Sequence, residues 1–96
     1  MLFIAICADT PDSSQLRRDN RPAHLAYLNS LGAKVRAAGA LLTADKQGVV
    51  GSLLIFEGDN EAEIAAMVAN DPFAKAGVFA SVDVKPWRQA VGVPLG

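Results

Sequence analysis

Two segments of the sequence are apolar on both faces that an extended chain presents. Leu2–Ala8 is short and continuously apolar, and Val49–Glu57 is a second run rich in valine, isoleucine and leucine. Both patterns predict strands. A half-exposed antiparallel strand normally alternates apolar with polar residues. These two strands do not alternate, so both faces of the sheet that contains them need to be covered. The alternating apolar sets are Leu2, Ile4 and Ile6 against Phe3, Ala5 and Cys7, and Leu53 and Ile55 against Leu54 and Phe56.

The only histidine of the chain, His24, follows the signals of a helix start. Proline is favoured at the first helical position, where Pro22 has no hydrogen-bond partner to lose. Asn20 is the better capping residue just before it. These signals predict a helix that runs to about Ala38 and ends at Gly39, a residue able to adopt the left-handed conformation of a helix terminus.

The predicted helix directs His24 toward the protein core. At about 100° per residue, the histidine lies on the same stripe as three apolar residues, with Arg21 on that side one turn earlier. A titratable side chain on an apolar face needs a hydrogen-bond partner or a chemical role. The apolar residues of the stripe are Leu28, Leu31 and Val35.

The remaining elements are predicted from turn and capping signals. Asn60 with Glu63 resembles a capping box at the start of a second helix. The order β-α-β-β-α-β predicts an α+β, ferredoxin-like fold with two helices on one face of a four-stranded antiparallel sheet. The other predicted segments are a loop over Asp9–Asn20 with one helical turn around Ser14–Arg18, a weak strand over Ala40–Ala44, a turn over Asp45–Gly48, a helix over Glu61–Asn70 and a strand over Val78–Lys85.

Size and composition limit the possible functions. The 96 residues form one predicted domain, 1–96, with a peripheral tail over 88–96 that we expect to fray. The net charge is −1, and no basic block exceeds Arg17-Arg18, which argues against nucleic-acid binding. A single cysteine excludes an intrachain disulfide and fits a reducing compartment. No signal peptide and no membrane-spanning apolar run is evident, so we expect a cytoplasmic protein.

The second face of the sheet predicts a partner. Helices cover one face, and the apolar residues of the other would form a large exposed patch in a monomer. We therefore expect a homodimer in which two chains pack sheet against sheet.

Two residues are candidates for catalysis. His24 is either a core histidine satisfied by a carbonyl group or a general acid/base. Asp71 is either the N-terminal cap of a short helix, with Pro72 at its first position and Gly77 past its end, or the carboxylate that orients an imidazole. One carboxylate can do both, because it has several lone pairs. The chain shows no second histidine and no carboxylate cluster, so we predict no metal site and no cofactor.

Other polar and aromatic residues have two interpretations each. Arg17 and Arg21, with Arg18 between them, are either solvated or form a receptor for a small anion, because guanidinium groups bind carboxylates in a bidentate way. Tyr27 either walls a pocket or packs in the core. Cys7 is expected to be a buried thiol and not a nucleophile.

The sequence resembles the YCII-related (YciI-like) family from Met1 to about Ala90. No single motif carries the resemblance, which rests on several in this order and spacing. The motifs are Arg21-Pro22-Ala23-His24-Leu25, Gly51-Ser52, Asp71-Pro72-Phe73, Ala76-Gly77-Val78-Phe79 and Val84-Lys85-Pro86-Trp87.

The resemblance implies a ferredoxin-like fold that dimerises through its sheet as an α+β barrel. It also implies a His–Asp active site, which maps onto His24 and Asp71. Relatives by fold include muconolactone isomerases, and the wider family includes a dehydrochlorinase that acts on a hydroxylated aromatic ring. The family often has Gly-Pro after the first helix where this chain has Gly39-Ala40, so the rim of the pocket is expected to differ.

These observations lead to one function hypothesis and its alternatives. The leading hypothesis is a cofactor-independent lyase or isomerase in which His24 and Asp71 perform acid/base chemistry on a small anionic or aromatic-derived substrate. Its predicted substrate-binding residues are Arg17, Arg21, Ser52, Tyr27, Pro72 and Phe73. The first alternative is a non-catalytic dimer that binds or senses a small ligand in the same cleft, and the second is a purely structural role for the His24–Asp71 pair.

Overall fold

The computed structural model describes residues 1–96 and contains four strands and three α-helices. All strand pairings are antiparallel, which confirms the predicted ferredoxin-like α+β fold. None of the helices is both long and apolar enough to cross a membrane. The elements are β1 (Leu2–Asp9), α1 (Ser14–Ser30), β2 (Val35–Leu42), β3 (Val49–Glu57), α2 (Glu61–Ala69), α3 (Pro72–Ala76) and β4 (Phe79–Trp87).

The sheet has the strand order β2-β3-β1-β4, so the two strands predicted most clearly lie at its centre. Paired residues share a face, and Phe3 lies opposite Phe56 while Cys7 lies opposite Ser52 on the face that the helices cover. This face and the inner sides of α1 and α2 form the core. Its nine buried residues are Phe3, Ala5, Cys7, Leu28, Leu54, Phe56, Ile64, Met67 and Val68.

The predicted bounds of the first helix are wrong at both ends. Helix α1 begins at Ser14 and ends at Ser30, so Pro22 lies inside it and not at its first position. A short 3₁₀ turn follows over Gly32–Lys34, and β2 already begins at Val35. Residues predicted to complete the helix therefore form an edge strand of the sheet.

Local sequence explains both errors. The first two turns of α1 look like a loop because most of their side chains face solvent, which removes the apolar periodicity. At the other end the chain offers two glycines, and the terminator is Gly32, which has a left-handed φ of 59°. The alanines after Val35 favour helix by propensity, but pairing with β3 holds them in a strand.

The later helices follow their predicted capping signals. The Asn60 side chain accepts from the Glu63 N–H at 2.9 Å, as predicted for the start of α2. The Glu63 carboxylate accepts from the N–H of Asp59 at 2.9 Å, one residue earlier than the capping-box geometry expects. Asp71 caps α3, with Pro72 at its start and Gly77 left-handed past its end.

The second face of the sheet carries an apolar patch. Ile6 and Leu53 lie opposite each other on this face, as do Ile4 and Ile55. Ile6 is 39% exposed, and no helix packs over it. The two-sided strands of the sequence therefore produce one buried face and one apolar face that is partly open to solvent.

The tail after β4 has no helix or strand and lies against one end of this second face. The Gln89 side chain donates to the carbonyls of Val91 and Val93 and accepts from the Leu95 N–H. Arg36 donates to the Leu95 carbonyl at 3.1 Å. A groove of about 520 Å³ lies between the tail and the sheet, beside Met1 and Leu2 at the start of β1.

Two prolines test the corrected start of α1. A helix-interior proline removes a hydrogen bond and costs about 3 kcal/mol, so Pro22→Ala should raise the free energy of unfolding by about 1–3 kcal/mol. Pro72 is the matched control, because it occupies the first position of α3, where proline is favoured. Pro72→Ala should leave stability unchanged or lower it.

Urea unfolding followed by circular dichroism measures both changes. A Pro22→Ala variant that loses stability as Pro72→Ala does would mean that α1 begins at Pro22, as the sequence suggested.

Candidate active site

Helix α1 places two of the candidate residues, Arg17 and His24, on the same side of the helix. Arg17 and His24 are seven residues apart, so they point within about 20° of each other around the helix axis. His24 is buried and Arg17 is half-buried, whereas most other side chains of the first two turns of α1 are exposed. The inward side of α1 therefore presents a guanidinium and an imidazole to the start of α3.

His24 and Asp71 form a buried pair. The Nδ1 atom lies 2.8 Å from Oδ1 and 2.8 Å from Oδ2 of the carboxylate, and the two side chains are only 9% and 1% exposed. An ionised carboxylate can only accept, so Nδ1 carries the hydrogen in this bond. No protein group bonds Nε2. The neutral imidazole therefore offers Nε2 as a hydrogen-bond acceptor at the edge of the site.

Asp71 has a second role in the fold. Its Oδ1 accepts from the Phe73 N–H at 2.8 Å and so caps α3. The Phe73 ring then stacks on the His24 imidazole, with centroids 3.8 Å apart and planes 11° from parallel. The Phe79 ring packs against the Phe73 ring in a T-shaped arrangement, with centroids 5.9 Å apart. The imidazole is thus fixed by a hydrogen bond along its edge and by an aromatic ring on its face.

Arg17 is held by groups from two strands. Its Nε and Nη2 atoms donate to the two oxygens of Asp9, each at 2.9 Å. Nη2 also donates to Ser52 Oγ at 2.8 Å and to the Gly51 carbonyl at 3.1 Å. The guanidinium carbon lies 4.6 Å from the centroid of the Phe73 ring. Arg17 and His24 therefore contact the same aromatic side chain, and Nη1 of Arg17 has no protein partner.

Cys7 lies at the floor of this cluster, opposite Ser52 in the sheet. Burial above all, and then the negative charges of Asp71 and Asp9, raise the pKa of its thiol from 9.0 to about 12, against a lowering effect of Arg17. The thiolate is the nucleophilic form of cysteine, so we expect this buried thiol to be unreactive at neutral pH.

The remaining predicted residues differ in how closely they join the cluster. The Tyr27 hydroxyl donates to the Met67 carbonyl at 2.7 Å and ties α1 to α2. Burial, and after it the charge of Asp71, raises the pKa of Tyr27. Pro72 is half-buried beside Asp71. Arg21 is exposed and makes no hydrogen bond or ion pair, so no contact connects it to the other residues.

Sequence reasoning missed Asp9. It ends β1 on the same face as Phe3, Ala5 and Cys7, and a charge after an apolar alternation of this kind is the signal that could have identified it. No group of three or more histidine, cysteine, aspartate or glutamate side chains that could hold a metal ion occurs in the structure.

Comparison with known proteins establishes the family. The model of the YCII-related domain matches residues 1–88, nearly the whole chain. The chain belongs to the YCII-related family. The match ends where the tail after β4 begins.

Two curated proteins are similar to this chain over almost their full length. Protein YciI of Escherichia coli O6:H1 is 34% identical over 96 aligned residues, which cover 93% of this chain and 98% of that protein. An uncharacterized protein of Haemophilus influenzae is 32% identical over the same shares of both chains.

One solved structure adds an enzyme to the comparison. It is 5-chloro-2-hydroxyhydroquinone dehydrochlorinase (TftG) of Burkholderia phenoliruptrix, in complex with 2,5-dihydroxybenzoquinone. It is 44% identical, has a TM-score of 0.85 and covers 94% of this chain and 96% of its own. A Chloroflexus aurantiacus protein classed as an antibiotic biosynthesis monooxygenase shares the fold, with a TM-score of 0.50 at 12% identity, covering 98% of this chain and 100% of its own. The first similarity is consistent with an enzyme that converts a small molecule.

The buried thiol gives a pH-dependent prediction. An unfolded thiol ionises near its ordinary pKa of 9.0, whereas folded Cys7 keeps its proton to about 12. Rising pH across this window therefore favours the unfolded state, and stability present below pH 9 is lost. Between about pH 8 and pH 10.5 the wild type should lose about 2 kcal/mol of its free energy of unfolding through this thiol, and Cys7→Ala should not show this loss.

Urea unfolding of both proteins at the two pH values measures this difference. The native wild-type thiol should also resist Ellman's reagent at neutral pH and react fully in denaturant. Rapid labelling of the native protein would contradict the buried position of Cys7.

Proposed function

We propose that this protein is a cofactor-independent enzyme of the lyase or isomerase type. The observation that carries the proposal is the buried His24–Asp71 pair, in which Asp71 engages Nδ1 and leaves Nε2 without a protein partner. This arrangement suits a general acid/base, which needs an orienting group on one nitrogen and access to substrate on the other.

The proposed chemistry is proton transfer at His24. Nε2 takes a proton from a substrate hydroxyl group or from a carbon next to a carbonyl, and the negative charge of Asp71 stabilises the imidazolium that forms. In a lyase step, the released electron pair forms a new π bond and the leaving group departs with its own bonding pair. The imidazolium then gives its proton to the leaving group or to water. In an isomerase step, the same proton returns to another carbon. Both sequences regenerate neutral His24 and need no oxidant.

The proposed substrate is a small hydroxylated ring or a related compound with negative charge on its oxygens. The 44% identical dehydrochlorinase, which was solved with a quinone, supports this class. Arg17 Nη1 and the Ser52 hydroxyl would bind such oxygens as hydrogen-bond donors. The apolar walls would come from Phe73, Pro72 and Tyr27, with Arg21 at the exposed rim.

Chloride release from 5-chloro-2-hydroxyhydroquinone tests the mechanism. His24→Ala should lower kcat by about 10²–10⁴-fold, the usual contribution of a general acid/base. Asp71→Asn should lower kcat less, because the imidazole loses its orienting charge and keeps Nε2. Asp59→Asn is the matched control: it is exposed, lies before α2 and should behave as wild type.

The results also separate the alternatives. Normal turnover in His24→Ala would exclude the proposed mechanism. A wild type that binds 2,5-dihydroxybenzoquinone but converts no substrate would favour the ligand-binding dimer. Loss of stability in both His24→Ala and Asp71→Asn, with unchanged binding and turnover, would favour the structural role.

We also propose that the protein is a homodimer formed through the second face of its sheet. The apolar residues of that face that are at least partly open to solvent, Ile4, Ile6 and Leu53, support the proposal, because a patch of this kind in water favours association. Helix α1, which carries both His24 and Arg17, lies on the opposite face, so a dimer of this geometry leaves the candidate site uncovered.

Two lysine substitutions test the dimer. Ile6 and Val82 are 39% and 42% exposed, and Val82 lies on the helix side of the sheet, opposite Cys7. Sedimentation at micromolar concentration should show a dimer for wild type and Val82→Lys, and a monomer for Ile6→Lys, because a buried lysine needs a partner. A monomeric wild type would exclude the sheet-to-sheet dimer.

A further inference from the structure

We propose that Asp9 is a positioning residue of the His24 site. It holds the Arg17 guanidinium in one orientation against the Phe73 ring, so that Nη1 is the nitrogen left for a substrate. The inference rests on the proposed function and adds a residue to the site that neither the sequence motifs nor the comparisons assign.

The backbone places the Asp9 side chain inside the protein. Strand β1 pairs regularly with β4 up to Ala8, which lies opposite Ser81, and then Asp9 lies opposite Phe79. Asp9 continues the alternation of β1 and therefore lies on the face that the helices cover, two residues after Cys7. The register shift skips Ala80 of β4, so that Phe79 is the residue opposite Asp9. The carboxylate of Asp9 is only 7% exposed. A carboxylate buried to this degree needs a charged partner.

Arg17 supplies that partner through two parallel hydrogen bonds. Nε and Nη2 each lie 2.9 Å from a different oxygen of Asp9, which fixes the plane of the guanidinium as well as its place. The further bonds from Nη2 to Ser52 and Gly51 use the remaining donor capacity on that side. Nη1 alone keeps its hydrogens for a ligand.

The orientation of Arg17 matters because Phe73 connects it to His24. The guanidinium carbon is 4.6 Å from the Phe73 centroid, and the imidazole centroid is 3.8 Å from it. A guanidinium that left this place would remove a packing neighbour of the ring on which the imidazole stacks. Displacements of about 1 Å at a reacting group can cost 10²-fold in rate.

Asp9 also changes the electrostatic character of Arg17. The carboxylate compensates the guanidinium charge within the protein, so Nη1 acts as a directed hydrogen-bond donor and not as an open binding site for any anion. Asparagine has nearly the same shape but no charge, and its amide nitrogen cannot accept. Asp9→Asn therefore breaks the two-bond arrangement with little change in volume.

A double-mutant cycle with Arg17 tests the proposal by its kinetics. Asp9→Asn should lower kcat/KM in the chloride-release assay by about 10–100-fold. Lysine cannot reproduce the planar two-bond contact, so Arg17→Lys should cause a similar loss. If Asp9 acts through Arg17, the kcat/KM of the double variant should be at most about threefold lower than that of Arg17→Lys. Independent, additive losses would overturn the proposal.

Two variants control for charge and folding. Asp9→Glu keeps the carboxylate, so its kcat/KM should lie between those of Asp9→Asn and wild type. If Asp9→Asn proves too unstable to purify, Asp9→Glu is compared with Arg17→Lys instead and should lose less kcat/KM. Asp12→Asn is the matched control, because the same change is made three residues away at an exposed position without an ion pair. Asp9→Glu and Asp9→Asn variants with equal losses would show that the charge of Asp9 is irrelevant and would overturn the proposal.

A spectroscopic measurement keeps this test separate from the proposed function. His24 is the only histidine, so its two carbon-bound ring protons are identifiable by NMR, and the Phe73 ring current displaces both. Asp9→Asn should move them toward the positions of an unstacked imidazole, with Asp12→Asn unchanged. This result would support the positioning role even in a protein that turns over no quinol. Unchanged ring signals in Asp9→Asn would overturn it.

Discussion

The buried carboxylate of Asp71 is the interaction on which the candidate site depends. A charge at 1% exposure is costly unless it is paired and hydrogen-bonded. Asp71 meets this condition with the imidazole of α1 and with the first turn of α3. The two contacts join helices that are distant in sequence, and they place Phe73 against the ring of His24. The same carboxylate is therefore a helix cap and the orienting partner of the histidine.

The Arg17–Asp9 pair is a second buried ion pair of this kind, at the end of strand β1. Each ion pair joins α1 to another element, and both touch Phe73. Every fully buried side-chain nitrogen and oxygen has a hydrogen-bond partner, so Nε2 of His24 and Nη1 of Arg17, which have none, each reach the protein surface. A site in which every buried polar atom is satisfied is rigid before a ligand arrives, which favours catalysis by orientation. The sheet separates this polar cluster from the apolar patch on its other face.

The fold was predictable where local signals agreed with tertiary structure. Strand β3 has the predicted bounds, and the starts of α2 and α3 follow their caps. The first helix was not predictable, because its polar turns lack apolar periodicity and the alanines of β2 favour helix by propensity. Only pairing with β3 makes those alanines a strand. A proline in the interior of α1 also contradicted the usual helix-start signal.

The candidate site, too, was predictable only where its features follow from local sequence. By itself the sequence determined that His24 faces the core and that Asp71 caps a short helix, because both follow from spacing along one element. The resemblance to the family suggested that the two residues meet. Only the tertiary structure decided that they share a hydrogen bond 47 residues apart, that Arg17 belongs to α1 and that Asp9 neutralises it. Such contacts depend on how elements pack, and packing is decided by the burial of all faces together, which no local pattern contains.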